Sequence, residues 1–411
     1  QAYSIARLVQ EVVKAEMDET QGRLWTERTI GAIAQAFPDA EEYGNWPACD
    51  RLVPHAKVSI QLATTGQIES ETTSMILART GDYLRERAQY SEAEPLLSKA
   101  LATRKRLLGD EHPDVAISLN HLAMLYEAQG RYSEAKPLYE EALSTRKQLL
   151  GNEHPDVARS LNNLAALYEN QGHYSKAEPL YQEALLMNKQ LLGNEHPDIA
   201  RSLNNLAALY HHQGRYSEAE PIYQEALAMR KRLLGDEHPD VATSLNNLAG
   251  LYKNQRRYNE AEPIYQKALM MNKQLLGDEH PNVAITLGNL AGLYNAQGRY
   301  DEAELLYQKA LLMNKQLLGD EHPNVAASLS NLAVLYSNQG RYGKAAPLYQ
   351  EALAMSKRLL GNEHPQTIRI LNSLASMYKA QGHTHKASSL SKQLPKKRRQ
   401  NKKQKNNKGF G

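Results

Sequence analysis

Residues 151–192 read GNEHPDVARSLNNLAALYENQGHYSKAEPLYQEALLMNKQLL, and residues 193–234 read GNEHPDIARSLNNLAALYHHQGRYSEAEPIYQEALAMRKRLL. The two stretches agree at 33 of 42 positions. Outward from them, Gly-(Asp/Asn)-Glu-His-Pro recurs with histidines at His112, His154, His196, His238, His280, His322 and His364, always 42 residues apart. A fixed period of this length marks a repeat architecture, in which neighbouring units make near-equivalent contacts.

Each period reads as two helices. Pro113 suits a first helical turn, where its missing N–H has no partner to lose. Val115, Leu119, Leu122, Ala123 and Tyr126 recur at spacings of three and four and make one apolar stripe. Gly130, free to take positive φ, ends that helix. The second helix starts near Ser133, and its stripe is Ala135, Leu138, Tyr139, Ala142, Leu143, Leu149 and Leu150. In five units a capping residue precedes Glu by three positions (Ser91/Glu94, Ser175/Glu178, Ser217/Glu220, Asn259/Glu262, Asp301/Glu304), which is capping-box spacing. Small residues such as Ala123 and Ala135 let the two helices approach closely. One hairpin cannot bury both its faces, so each must stack on its neighbours. Eight units run from about Thr72 to Leu394. The first is irregular (Thr80 for Leu, Ala88 for Gly) and the last truncated, as end caps are. Arg256 replaces a turn glycine and Leu305 a proline without a slip in register. The expected fold is all-α, a right-handed superhelical solenoid with a concave face.

The pattern Asn-Leu-Ala-x-Leu-Tyr-x-x-Gln-Gly-x-Tyr-x-x-Ala-x-x-x-Tyr-x-x-Ala-Leu resembles the tetratricopeptide repeat. Leu164, Ala165, Tyr168, Gly172, Tyr174, Ala177, Tyr181 and Ala184 stand at its signature positions. The unit is eight residues longer than the common version, and with Leu-Gly-x-x-His-Pro-Asp-Val-Ala it is similar to the repeats of kinesin light chains. The likeness covers residues 72–394. Residues 1–71 read as a helical junction, with an amphipathic helix at 3–13, a second over Gln21–Phe37 and a third after Trp46-Pro47. Arg7-Leu8-Val9-Gln10, Phe37-Pro38 and the run from Trp46 to Ala56 resemble the stretch that joins the winged-helix end of NB-ARC-type signal-transduction ATPases to their repeat arrays. That resemblance implies an ATPase upstream in the same polypeptide, since no Gly-x-x-x-x-Gly-Lys-(Ser/Thr) loop exists here. The chain opens at Gln1, as a fragment or processed product does.

Composition narrows the function classes. Lys plus Arg number 49 and Asp plus Glu 46. Residues 396–411 hold eight of the cations and no acid, which leaves the remainder at −5 (+3 less 8). The basic tail 395–411 cannot bury a core and is expected to be disordered. It reads first as a solubilising terminus, with weak contact with an acidic partner or nucleic acid as the alternative. Cys49 is the single cysteine, so neither an internal disulfide nor a multi-thiolate zinc site can form. No apolar run reaches the roughly 18 residues a bilayer needs, and no signal peptide is visible. A cytoplasmic location without membrane contact is expected.

Candidate chemistry fails on geometry. Successive Glu-His pairs lie two helices apart, roughly 15–20 Å at ordinary helix spacings, whereas ligands of one zinc sit about 2 Å from it. The pairs read as turn chemistry. His211-His212 is adjacent on a helix, so its side chains are expected to diverge. Cys49 reads as a buried thiol. No catalytic constellation, metal or cofactor is predicted. An asparagine ladder carries the functional signal. Asn163, Asn205, Asn247, Asn289 and Asn331 precede Leu-Ala in the first helices, and Asn120, Asn162, Asn204, Asn246 and Asn372 stand one residue earlier. Asn is a mediocre helix former, and a carboxamide both donates and accepts. Such a column can grip the backbone of an extended peptide, and the resemblance places these positions on the concave wall. Bonding across adjacent helices is the competing use. Specificity is expected from positions that vary between units, among them Glu127, Glu169, His211 and Lys253, which run from acidic to basic, with Arg159 and Arg201 one turn earlier to meet acidic side chains.

The reading is a non-catalytic protein-interaction scaffold that holds an extended segment of a protein partner. The alternatives are the sensor arm of an NB-ARC-type signalling ATPase and a kinesin-light-chain-like cargo adaptor, which needs an upstream coiled coil.

Overall fold

The computed structural model describes residues 17–40 and 42–394. The helix expected at 3–13 and the basic tail lie outside them. The described residues form helices and no strand. α1 spans Glu19–Ala36 and α2 spans Trp46–Thr65, and eight hairpins follow. The first pairs Glu71–Glu86 with Tyr90–Leu108, and the second Pro113–Ala128 with Tyr132–Leu150. From the third (Pro155–Asn170, Tyr174–Leu192) to the seventh (Pro323–Asn338, Tyr342–Leu360) the pattern barely changes, and the eighth ends early (Pro365–Ala380, Thr384–Lys392). By packing, the chain divides into two bodies, residues up to 125 with 137–149, and residues 126–136 with 150 onward.

In the first body the junction docks on the first hairpin. Tyr83, 2% exposed, meets Phe37 and Trp46 edge-on. Its hydroxyl donates to Asp50, and the Arg79 guanidinium donates to the Ala34 and Phe37 carbonyls at 2.6 and 2.8 Å. Cys49 is buried, and burial with the neighbouring Asp50 pushes its thiol up to about 11, as an inert structural thiol requires.

In the second body each hairpin borrows part of its core. Ile199, Ala200 and Leu203 of one helix pack with Ala226 and Met229 of the next, and Leu185 from the preceding hairpin closes the cluster. Leu227 does the same for the fifth hairpin and Leu269 for the sixth. Each such leucine is partly buried and contributes part of the roughly 1.5–3 kcal/mol that burying a whole leucine side chain gains, so a hairpin completes its core only when stacked. A buried polar rung crosses every one of these joints. Asn188, Arg230, Asn272 and Asn314 donate to Ser202, Ser244, Thr286 and Ser328 at 3.1, 2.7, 3.1 and 2.9 Å.

The Glu-His-Pro turn has a specific task. In all seven turns the histidine Nδ1 accepts the N–H two residues on, at 3.1–3.2 Å. The ring thus fills the role usually given to Ser or Asp at a helix N-terminus. The expected capping boxes do not form. The second helices of the third to seventh hairpins begin one residue earlier, after a His or Arg that offers no side-chain cap. The glutamates serve the joints instead. Glu178, Glu220, Glu262 and Glu304 take Arg215, Arg257, Arg299 and Arg341 of the following hairpin at 2.7–2.8 Å. Each guanidinium also lies 3.8–4.5 Å from its own hairpin's tyrosine ring (Tyr210, Tyr252, Tyr294, Tyr336). Burial pushes Glu262 up, but bonds from Arg299, Tyr294 and Gln297 outweigh it and hold it below the usual carboxylate range. Before the third hairpin this rung is missing. Lys136 stands where the glutamate belongs and His173 where the arginine belongs. Lys136 and Lys176 instead face the Tyr168 ring at 6.0 and 5.4 Å.

Arg256 adopts φ 63° at the turn where six other hairpins place glycine near φ 71–80° and the first places Ala88 at φ 55°. Left-handed backbone costs a residue with a Cβ about 1–2 kcal/mol. Arg256→Gly is therefore expected to raise the free energy of unfolding by about 1 kcal/mol, and His238→Ala to lower it by about 1 kcal/mol, while His238→Asn stays near wild type. Chemical denaturation followed by circular dichroism checks all three.

Candidate protein-binding face

In the second body, first helices of successive hairpins touch one another as well as the second helix between them. Successive second helices make no comparable approach there. The stack is tighter on the first-helix side, so the candidate residues line its concave face.

A register of 43 residues organises that face. Asn247 Nδ2 donates to Asn204 Oδ1 at 2.9 Å, and Asn289 to Asn246 at 3.1 Å. Seven residues on, Asn170 donates to Glu127 (2.9 Å), Asn254 to His211 (2.7 Å) and Asn338 to Asn295 (3.1 Å), and His212 Nδ1 meets Glu169 at 2.7 Å. Between the last two hairpins the same offset joins Gln366 to the Pro323 carbonyl at 2.7 Å. Two helical turns separate successive rungs of this register, so all fall on the helix-to-helix seam.

The ladder amides are thus only partly available. Asn204, Asn246, Asn247 and Asn289 each spend one function across a joint, and each retains its other. Asn163 is half-buried and engaged. Asn162 buries a carbonyl oxygen that has no protein partner. Asn205 is half-buried and Asn331 exposed, and neither side chain makes a hydrogen bond among the described residues. For Asn331 the cause is plain, because the residue 43 positions back is Gly288, which has no side chain to meet. Arg159 and Arg201 are exposed and fold back on Asp156 and Asp198 of their own first turns, at 2.5 and 3.2 Å.

The variable positions make the wall's electrostatics. Tyr181 donates to Glu169 at 2.9 Å, and burial followed by that carboxylate pushes its hydroxyl far up. His211 and His212 do not diverge, because their rings stack with centroids 5.9 Å apart. His211 also meets Tyr216 and Tyr223 edge-on at 5.8 and 6.3 Å. Its Nε2 accepts from an amide nitrogen, so the ring is neutral. Burial, then His212 and Lys253, lowers it to about 4. Desolvation also lowers the Lys253 ammonium. A cleft of about 410 Å³ opens on the same face between the last two hairpins, lined by Asn338, Tyr349, Asn372 and Ser376 among others. Among the described residues no group of three or more His, Cys, Asp or Glu is placed to hold a metal, and no helix is long and apolar enough to cross a membrane.

The sequence reading missed the glycines. A Cβ on Gly250 would stand 3.3 Å from the Tyr265 hydroxyl and 3.9 Å from the His211 ring, and one on Gly292 3.3 Å from the Tyr307 hydroxyl and 3.7 Å from Lys253 Nζ. Equivalent positions carry Met124, Ala166, Ala208, Val334 and Ser376. From the third hairpin on, glycine follows only two basic residues at this position, His211 and Lys253, whereas Arg85 of the first hairpin is followed by Met124.

Comparison with known proteins agrees with this geometry. A tetratricopeptide repeat model matches residues 72–148, 129–190, 156–232, 198–274, 240–316, 284–358 and 325–394. Over 121 residues, 29% of this chain, the sequence is 37% identical to a nucleotide-binding leucine-rich repeat (NLR)-like protein of Hyaloscypha variabilis, and the match spans 12% of that protein's length. Among solved structures, a Rap protein complexed with Competence and Sporulation Factor superposes with TM-score 0.59 at 12% identity, over 90% of this chain and 96% of that one, and shares the fold. BtubC (BKLC) from P. vanneervenii gives 0.44 at 28% identity, over 57% and 92% of the two chains. A putative kinesin light chain of Podosopora anserina with nearly identical TPR-like repeats gives 0.42 at 27%, over 50% and 97%.

His211 and His364, the latter also lowered to about 4 by burial, have an ordinary value of 6.5. Below pH 6.5 the unfolded chain binds protons that these folded rings refuse, so stability is full above that value and falls as pH drops toward 4. The loss is expected to be on the order of 2 kcal/mol for each ring after allowance for solvent. Denaturation midpoints at pH 7 and 4.5 measure it, and His211→Gln is expected to flatten the profile.

Proposed function

The chain belongs to the tetratricopeptide repeat family, whose arrays are protein-interaction scaffolds, and from that premise we propose that it holds an extended segment of a protein partner along the concave first-helix face, without catalysis. The observation that carries this reading is the regular supply of unspent polar groups on one wall. Asn205 and Asn331 have whole carboxamides free, and Asn204, Asn246, Asn247 and Asn289 keep one function each after bonding across the joints. A carboxamide offers an extended backbone a donor and an acceptor together. The residues that differ between hairpins, Glu169, His211 and Lys253, then set which side chains the segment carries. Arg159 and Arg201 are spent on their own helices, which makes them rim residues that an acidic partner must win from Asp156 and Asp198.

A second reading is the C-terminal arm of a larger signalling ATPase, in which the scaffold's ligand restrains or releases a nucleotide-binding domain of the same polypeptide. The partial likeness to an NLR-like protein favours it. Gene sequence upstream of Gln1 tests it. A phosphate-binding loop there supports the arm, and a start codon close by removes it.

Asn205→Ala together with Asn331→Ala is expected to weaken partner binding at least tenfold, with an unchanged melting temperature, because neither amide supports a joint. Asn289→Ala is expected to lower melting as well, since it unpairs Asn246. Calorimetric titration with partner segments recovered by pull-down, beside thermal melts, separates the effects, and undiminished binding by the double variant overturns the reading.

A further inference from the structure

Lys253 is an outlier among the array's lysines. Lys105, Lys189, Lys231, Lys273 and Lys315 each meet a carboxylate within 3.8 Å. Lys253 makes no ion pair or hydrogen bond among the described residues, although it is half-buried. Its ammonium reaches over Gly292, 3.7 Å from where a Cβ would stand, and the Tyr307 hydroxyl flanks the same spot at 3.3 Å. That phenol is buried and held protonated, its titration pushed up to about 12 by desolvation, so it can donate. His211 occupies the equivalent space over Gly250, but as a neutral ring satisfied by Asn254 and packed on tyrosines. There the glycine accommodates volume. At Gly292 it leaves a notch in which a cation and a hydroxyl converge with no anion between them. A half-desolvated ammonium without a counter-ion is unfavourable, and a carboxylate is the group that relieves it.

We infer that the Lys253–Gly292–Tyr307 notch is a carboxylate site that takes one acidic group of the bound segment. The inference rests on the proposed binding of an extended segment to this face. It fixes a position of the ligand, with the carboxylate seated between the ammonium and the phenol and the backbone running toward the Asn205 side in one direction and the Asn331 side in the other.

The test uses the full chain and random bead-bound peptides made in two forms, one ending in a free carboxylate and one in a carboxamide. Enrichment of Asp or Glu at a fixed register in the carboxamide set identifies a side chain. Enrichment confined to the free-ended set identifies a terminal carboxylate. Either supports the site if Lys253→Gln weakens the selected peptides roughly tenfold or more while leaving the binding of their Asn/Gln counterparts within about twofold. Asn295→Lys with Val334→Gly rebuilds the notch one hairpin along and is expected to add a second acidic preference. Thermal melts confirm that the variants fold. Peptides selected without an acidic preference, or with one that survives Lys253→Gln, overturn the carboxylate site and leave the binding face standing. Recovery of no peptide in either form overturns both.

Discussion

Everything in this molecule follows from a hairpin that cannot bury itself. Two helices cover one face of each other, and the residual apolar stripe must be covered by the next copy. Leu185, Leu227 and Leu269 are that requirement in atomic form, each completing a core that belongs to its successor. Once the leucine is seated, the geometry of the joint is fixed. The polar groups around it find partners at the same offsets wherever the residues recur, namely Asn or Arg to Ser or Thr in the interior, Glu to Arg at the turn, and amide to amide on the concave seam. Specificity of stacking therefore comes from polar rungs, and its strength from apolar burial.

The fold was almost wholly legible because its signals are local and repeated. Pro113 and its equivalents open helices, Gly130 and Gly151 close them, and Ala165, Ala177 and Tyr181 recur at helical spacing. What was misread involves partners one unit away. Ser217 and Glu220 look like a capping box because they sit three apart, yet Glu220 is drawn to Arg257, 37 residues on. The Asn columns look like an open ladder until Asn247 is seen to reach Asn204. A periodic sequence hides such bonds, since every position has a like neighbour one period away and the eye compares within a unit. The His211 and His212 rings were expected to diverge from backbone direction alone, whereas the side-chain torsions and the space over Gly250 bring them together.

The concave face consequently has two kinds of residue, those that hold the stack and those left over. The distinction matters for reading any substitution there. A change at Asn289 touches a joint and the wall at once, whereas Asn331 touches only the wall. The leftover groups are not evenly spread. An acid held by Tyr181, a neutral imidazole and a bare ammonium follow one another along three consecutive hairpins, which gives the wall a polarity that neither the net charge nor the repeat consensus reveals.

The departure at Lys136 and His173 has a mechanical consequence. In a linear array each link contributes separately, and the chain parts where a link is weakest. Three links of the second body are clasped by a guanidinium between two carboxylates and a fourth, at Arg341, by one carboxylate, whereas this one offers two basic residues leaning on a single ring. The joint before the eighth hairpin lacks the clasp too, with Ala346 and His383 at the two positions, so under tension or heat the clasped run from the third to the seventh hairpin is the block that keeps its stacking longest.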